Sequence, residues 1–130
     1  MPWWRIGVDA VKIGMLHSPE VVVTVAEALD AHQLHHVVLD PVMVAANGAK
    51  LISDEAISVL VNELFPRAMV VTPNLEEASL LLGRALTETD ALAQAAEELL
   101  QLGARAVLLK GGHLPGHDSI FWCNRMALAR

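Results

Sequence analysis

The sequence predicts an α/β domain: a parallel sheet with flanking helices. Three observations predict it. Short apolar runs alternate with helix-patterned segments in the order strand, helix, strand, helix, strand, two helices, strand. Alternation at this spacing indicates a parallel sheet with right-handed crossovers. The run Val37-Val38-Leu39 is apolar at consecutive positions, as suits a strand buried on both faces, and it stops at Asp40-Pro41. Ala, Val and Leu dominate a chain that is 54% hydrophobic and 4% aromatic with no Tyr, a composition suited to helices packed on such a sheet.

Each element has a local reason. Trp3 and Trp4 are adjacent near the start and costly to expose, so they are expected to pack, or the domain's natural start to lie elsewhere. Val8 to Met15 reads as a strand, with Val11, Ile13 and Met15 alternating against Lys12 and Gly14. Ser18 is an N-cap and Pro19 a first helical residue; the helix runs to about Ala31, with Val21, Val25 and Leu29 as its apolar stripe, flanked by Val22 and Ala28. His36 to Asp40 is the second strand, and Met43 to Lys50 a loop turning at Asn47-Gly48. Ser53-Asp54-Glu55 opens a helix to about Phe65 that buries Ile57, Leu60, Val61 and Leu64 and ends at Pro66. Ala68 to Thr72 is a third strand, stopped by Pro73. Asn74 starts a helix with Glu76 and Glu77 in its first turn, where the dipole favours acids, and Gly83 closes it. Thr87 caps a helix over Glu88 to Leu102, and Arg105 to Leu109 is the fourth strand. Leu114 to Asp118 reads as a turn; Ser119 to Arg130 shows neither clean alternation nor a capped helix.

The totals bound the function. A chain of 130 residues makes one domain with a real core. A net charge of -6 argues against non-specific binding to nucleic acid or anionic membrane. One Cys excludes an internal disulfide and fits a reducing cytoplasm. No signal peptide is evident, and no apolar run is long enough for a membrane span. The expectation is a cytoplasmic protein, and homo-oligomerisation is left open.

Four strand ends carry residues suited to chemistry: Gly14-Met15, Asp40-Pro41-Val42-Met43, Thr72-Pro73-Asn74 with Glu77, and Lys110-Gly111-Gly112-His113. A parallel sheet puts these ends on one edge, where ligands bind in open α/β folds. Carboxylates suit Mg²⁺, a lysine suits phosphate as a compact point charge, and paired glycines let backbone approach a ligand. Each piece alone also has a plain structural reading. Asp40 can cap a turn, Asn74 and Glu77 can form a capping box, and Lys110 can be a solvated strand end. Their convergence favours a magnesium and phosphate site. His32, His35 and His36 read better as solvated residues near a helix end than as metal ligands. His113, His117 and Cys123 match no standard zinc spacing, and nothing marks a base for Cys123. The dinucleotide glycine fingerprint and the P-loop are both absent.

Lys12-Ile13-Gly14-Met15-Leu16, Val38-Leu39-Asp40-Pro41-Val42-Met43, Val71-Thr72-Pro73-Asn74-Leu75-Glu76-Glu77-Ala78 and Leu109-Lys110-Gly111-Gly112-His113 occur in this order. Together they resemble the middle of the hydroxymethylpyrimidine/phosphomethylpyrimidine kinases, bacterial thiamine-biosynthesis enzymes of the ribokinase-like superfamily. The resemblance covers roughly Val8 to Asp118, so residues 1–118 are expected to be the central part of such a domain and 119–130 an unmatched tail, out of frame or truncated. It implies a partial three-layer sandwich and ATP-dependent, Mg²⁺-assisted phosphorylation of hydroxymethylpyrimidine and then of its monophosphate. By that resemblance Asp40 and Glu77 serve the metal, Asp40, Asn74, Glu77 and Lys110 the nucleotide phosphates, and Met15 and Val42 line the pyrimidine pocket. The family's glycine-rich substrate segment and its Gly-Thr-Gly-Cys anion hole have no match here, so no catalytic residue is assigned and Cys123 is not equated with the family's cysteine. The isolated chain is therefore expected to show little activity. A non-catalytic remnant, or a fragment of a pyridoxal kinase relative, are the other readings.

Overall fold

A computed structural model describes residues 7–86, 92–114 and 117–124, with side chains described as far as Lys110. The expectations for Trp3 and Trp4, for the Thr87 cap, and for the side chains of His113, His117 and Cys123 fall outside what is described. The strands β1 (Val11–Ile13), β2 (Val37–Leu39), β3 (Val70–Val71), β4 (Ala106–Leu114) and β5 (His117–Asn124) form one sheet in that order. The first four are parallel and β5 is antiparallel to β4. Between them lie α1 (Pro19–Ala31), α2 (Asp54–Glu63), α3 (Leu75–Leu82) and α4 (Leu92–Leu100), with a 3-10 turn at Phe65–Arg67 after α2.

Local chemistry starts the helices where expected. The Ser18 hydroxyl accepts from the Val21 amide at 3.3 Å, with Pro19 at the first helical position. Ser53 does the same for Ala56 at 3.1 Å. The buried stripe of α1 is Val22, Ala26 and Leu29, displaced from the anticipated one: Val21 and Val25 are half-buried and Ala28 is exposed. Ala26 is fully buried in this stripe, a position that a count of large apolar residues does not register. Its C-terminus closes as a Schellman turn, with the Leu34 amide on the Leu29 carbonyl (2.9 Å) and the Gln33 amide on that of Asp30 (3.2 Å). Gln33 sits at φ +52°, a conformation that costs a residue with Cβ about 1–2 kcal/mol. Gln33→Gly is expected to stabilise the fold by about 0.5–1 kcal/mol after glycine's own entropy cost. A thermal melt checks this, and an unchanged or lower midpoint overturns it.

All four helices cover the same face of the sheet. Residues of α1 and α2 pack with Ile13, Val37, Leu39 and Val71. Residues of α3 and α4 pack with Val107 and Leu109. Val71 and Val107 are register partners, so both groups lie on one side. Parallel strands added in one direction with right-handed crossovers require this. Val38, Val70 and Leu108, which alternate with those residues, stay half-buried on the opposite face. Among the described residues the architecture is thus two layers, and Asp40, Thr72 and Lys110 continue the strands on the parity of the uncovered face.

Two elements differ from expectation. The fourth strand does not stop at Leu109 but runs to Leu114. Residues 119–124 are not irregular: β5 pairs with β4 from Ala106↔Asn124 to Leu114↔His117, with a register shift between Gly111 and Leu114. Ile120, Phe121 and Trp122 favour strands. What organises them is a pairing partner, which their own periodicity does not reveal.

At the amino edge of the sheet, Arg67 donates to both oxygens of Asp30 (2.9 and 2.7 Å) and to Glu63 (3.3 Å), tying the end of α1 to the turn after α2. The arginine hydrogen bond holds the Asp30 carboxyl below its ordinary range. His36 sits at this edge too, its Nδ1 3.2 Å from the Asp9 carbonyl oxygen. His32, His35 and His36, between α1 and β2, therefore lie at the edge opposite Asp40. Among the described residues no three His, Cys, Asp or Glu side chains come together as a metal cluster. No helix among them is long and apolar enough to cross a membrane.

Candidate functional site

The carboxyl edge is built where the backbone ladder continues past the ends of β1, β2 and β3. The Asp40 amide donates to the Ile13 carbonyl at 2.8 Å, the Thr72 amide to that of Leu39 at 2.9 Å, and the Lys110 amide to that of Pro73 at 2.9 Å. Three side chains on three neighbouring strands are thereby fixed at their roots. Pro41 then turns the chain away: the Val42 amide reaches back to the Asp40 carbonyl at 2.8 Å, and the Pro41 ring is fully buried. Met43, also fully buried, leads into a small hairpin in which Val44 bridges Lys50. Asn47 and Gly48 form its tip, with Gly48 at φ +86°.

The side chains meet at Asp40. Its Oδ1 accepts from the Thr72 hydroxyl at 3.2 Å and from the Lys110 ammonium at 3.4 Å. The pair is partly solvated, with 22% of the Asp40 side chain and 43% of that of Lys110 exposed. The sequence places Thr72 at one of the four strand ends but assigns it no role. The signal lay in strand parity: Thr72 follows Val70 as Asp40 follows Val38, so both project on one face.

Asn74 and Glu77 form the capping box of α3. The Asn74 Oδ1 accepts from the Glu77 amide at 2.8 Å, and the Glu77 Oε1 accepts from the Asn74 amide at 2.9 Å. The structural reading of these two residues is therefore realised. It does not exhaust Glu77, which is only 4% exposed, and no other charged or polar side chain among the described residues is as deeply buried. Burial pushes its carboxyl above the usual range, and the negative charge of Asp40 pushes the same way. The amides of Asn74 and Met43 and the charge of Lys110 pull it down without cancelling the rise. Glu77, Asp40 and Lys110 thus share one electrostatic neighbourhood.

Met15 stands on the same edge, two residues beyond Ile13 and 50% exposed, and Val42 is half-buried beside Asp40. A cavity of about 640 Å³ lies elsewhere, between the hairpin and the far end of α3, lined by Val44, Lys50, Glu76, Leu80, Gly83 and Leu86 among others. Its lysine is paired with Asp54, and Arg84 beside it with Glu98. None of Asp40, Glu77 and Lys110 lines it, so volume and chemistry do not coincide.

A family model described as phosphomethylpyrimidine kinase matches residues 4–127. The chain belongs to that family. The matched residues run past Asp118 and include the whole of β5. The bifunctional thiamine-biosynthesis protein ThiED of Geobacter sulfurreducens is 50% identical over 115 residues, 88% of this chain and 24% of that protein. The hydroxymethylpyrimidine/phosphomethylpyrimidine kinase of Bacillus subtilis is 41% identical over 86% of this chain and 41% of its own length. Among solved structures, the phosphomethylpyrimidine kinase of Clostridium difficile superposes with a TM-score of 0.81 at 38% identity, covering 92% of this chain and 52% of that one. The pyridoxal kinase of Staphylococcus aureus in complex with AMP-PCP superposes with a TM-score of 0.80 at 32% identity, over 92% and 44%. The fold is that of the ribokinase-like kinases. The chain spans about two fifths of the Bacillus subtilis kinase and about half of the Clostridium difficile structure.

Proposed function

We propose that this chain forms the cation- and phosphate-binding edge of an ATP-dependent kinase that phosphorylates hydroxymethylpyrimidine and its monophosphate in thiamine biosynthesis, in the cytoplasm. The observation that carries the reading is the convergence of Thr72 and Lys110 on one carboxylate oxygen of Asp40, with the buried acid Glu77 in the same field. The donor set fits Mg²⁺, which takes one or two carboxylates and completes its shell with water and substrate phosphates. Asp40 and Glu77 would hold it, and bound there it would neutralise charge on the phosphates. Lys110 supplies a point charge for the same phosphates, and Asn74 holds Glu77 in place through the capping box. Met15 and Val42 offer apolar contacts to a pyrimidine ring. Phosphoryl transfer depends on positioning and charge neutralisation more than on covalent chemistry, and this edge supplies both.

A second substrate class has a specific observation behind it, the nearly equal superposition on a pyridoxal kinase. The family match and the higher identity to the pyrimidine kinases favour the first. The test is calorimetric binding of hydroxymethylpyrimidine and of pyridoxal to the purified 130-residue chain, with a phosphorylation assay on the same sample. The expected result is preference for the pyrimidine with little or no turnover, because the chain carries no anion-hole motif of the kind the resemblance implies. Preference for pyridoxal overturns the substrate, and robust turnover overturns the expectation of low activity.

A further inference from the structure

We propose that Lys110 is a displaceable internal counter-ion of Asp40, and that it couples cation binding to phosphate binding at this edge. The inference rests on Asp40 being the cation ligand, as in the proposed function, and adds to it how the empty and loaded arrangements are linked.

Three observations support it. The first is that the Lys110 ammonium lies 3.4 Å from the Asp40 Oδ1, the oxygen that also takes the Thr72 hydroxyl. A positive group therefore already stands at the carboxylate where a divalent cation has to bind. A cation at either oxygen of Asp40 meets that charge at a few ångströms, so the ammonium has to leave or be repelled.

The second observation concerns what can move. The backbones are fixed: the Lys110 amide is on the Pro73 carbonyl and the Asp40 amide on that of Ile13. Asn74 and Lys110 form a parallel bridge at the same level. Only the flexible four-carbon stem of Lys110 is free to swing, and its side chain is 43% exposed. Partly solvated pairs of this kind are weak, so the contact can be exchanged at little cost.

The third is the other acid. Glu77 is buried and has one oxygen on the Asn74 amide, so it cannot swing out to receive the ammonium without breaking the start of α3. The route left to Lys110 is outward, toward an anion arriving at the edge. An anionic phosphate there draws the ammonium off Asp40 and uncovers the carboxylate for the cation. By linkage, the cation improves phosphate binding by the same factor. In the empty site the Asp40 charge stays paired, and the two ligands assemble together.

Mn²⁺ binding to the 130-residue chain, read by electron paramagnetic resonance, tests this without any turnover. Wild type, Lys110→Met, Lys110→Gln and Asp40→Asn are titrated in chloride and in sulfate at equal ionic strength, sulfate serving as a weakly chelating phosphate mimic. In chloride, both Lys110 variants are expected to bind Mn²⁺ about two- to fivefold tighter than wild type. Sulfate is expected to tighten Mn²⁺ binding to wild type and to leave the Lys110 variants unchanged. If both neutral variants bind Mn²⁺ no tighter than wild type, or if the sulfate effect survives in them, the coupling is overturned. If Asp40→Asn binds Mn²⁺ as wild type does, the cation reading of the site falls and the coupling with it. Loss in Asp40→Asn with no gain in the Lys110 variants removes the coupling alone.

Discussion

Asp40→Asn is expected to weaken Mn²⁺ binding by about 100-fold while leaving the fold nearly as stable as before. The two halves of that result have separate causes. Asparagine keeps the size of the side chain and an oxygen in the place of Oδ1, so the Thr72 hydroxyl retains its acceptor. It also keeps the Asp40 amide on the Ile13 carbonyl and the Pro41 turn behind it. What it removes is the negative charge, which a hard cation needs and a neutral amide oxygen replaces poorly. Lys110 loses an ion pair, but its side chain is 43% exposed and water takes the partner's place, so the stability cost is at most about 1 kcal/mol. A Mn²⁺ titration and a thermal melt on the same preparation check both halves. Unchanged binding would place the cation elsewhere. A collapse in melting temperature would make Asp40 a folding residue.

What could be seen in the sequence was what depends on near neighbours. Ser18 before Pro19, and Asn74 three residues before Glu77, bring donor and acceptor together within one turn, and both caps form as the spacing requires. The strand ends were legible because a proline follows Asp40 and another follows Thr72, and because a parallel sheet puts all such ends on one edge. What escaped depends on partners far along the chain. The Thr72 hydroxyl bonds to a residue 32 positions earlier, and its role follows only from the register of β2 against β3. The strand β5 has no clean alternation and is held by its ladder to β4. Gln33 in the left-handed conformation was invisible because glycine is the residue that usually marks it. The apolar run Val37-Val38-Leu39 was read as buried on both faces, yet four helices cover the Val37 and Leu39 side and Val38 is only half-buried. That composition records what the strand is suited to meet, and the direction in which strands are added decides which face these helices cover.

Glu77→Gln is expected to move stability and binding in opposite directions. In the folded protein burial and the nearby Asp40 charge hold the Glu77 carboxyl above its ordinary value of 4.5. The folded chain therefore binds more protons than the unfolded chain between 4.5 and that raised value. Stability from this group is present in full below 4.5 and is lost as pH rises through the raised value, so at neutral pH an ionised Glu77 works against the fold. Glutamine is neutral throughout and keeps an oxygen to accept from the Asn74 amide, so the start of α3 survives. At neutral pH the variant is expected to be more stable by about 0.5–2 kcal/mol, in the range typical of substitutions that relieve a functional site. That advantage should vanish near pH 4, where the wild-type carboxyl is itself protonated. Over the same change Mn²⁺ affinity is expected to fall by about 10–100-fold. Thermal melts of both proteins from pH 4 to pH 8 read the first effect, and a titration at neutral pH reads the second. A loss of stability at neutral pH would mean that the attraction of Lys110 outweighs burial. A gain in stability joined to a loss of binding is what distinguishes an acid kept for a ligand from one kept only to cap a helix.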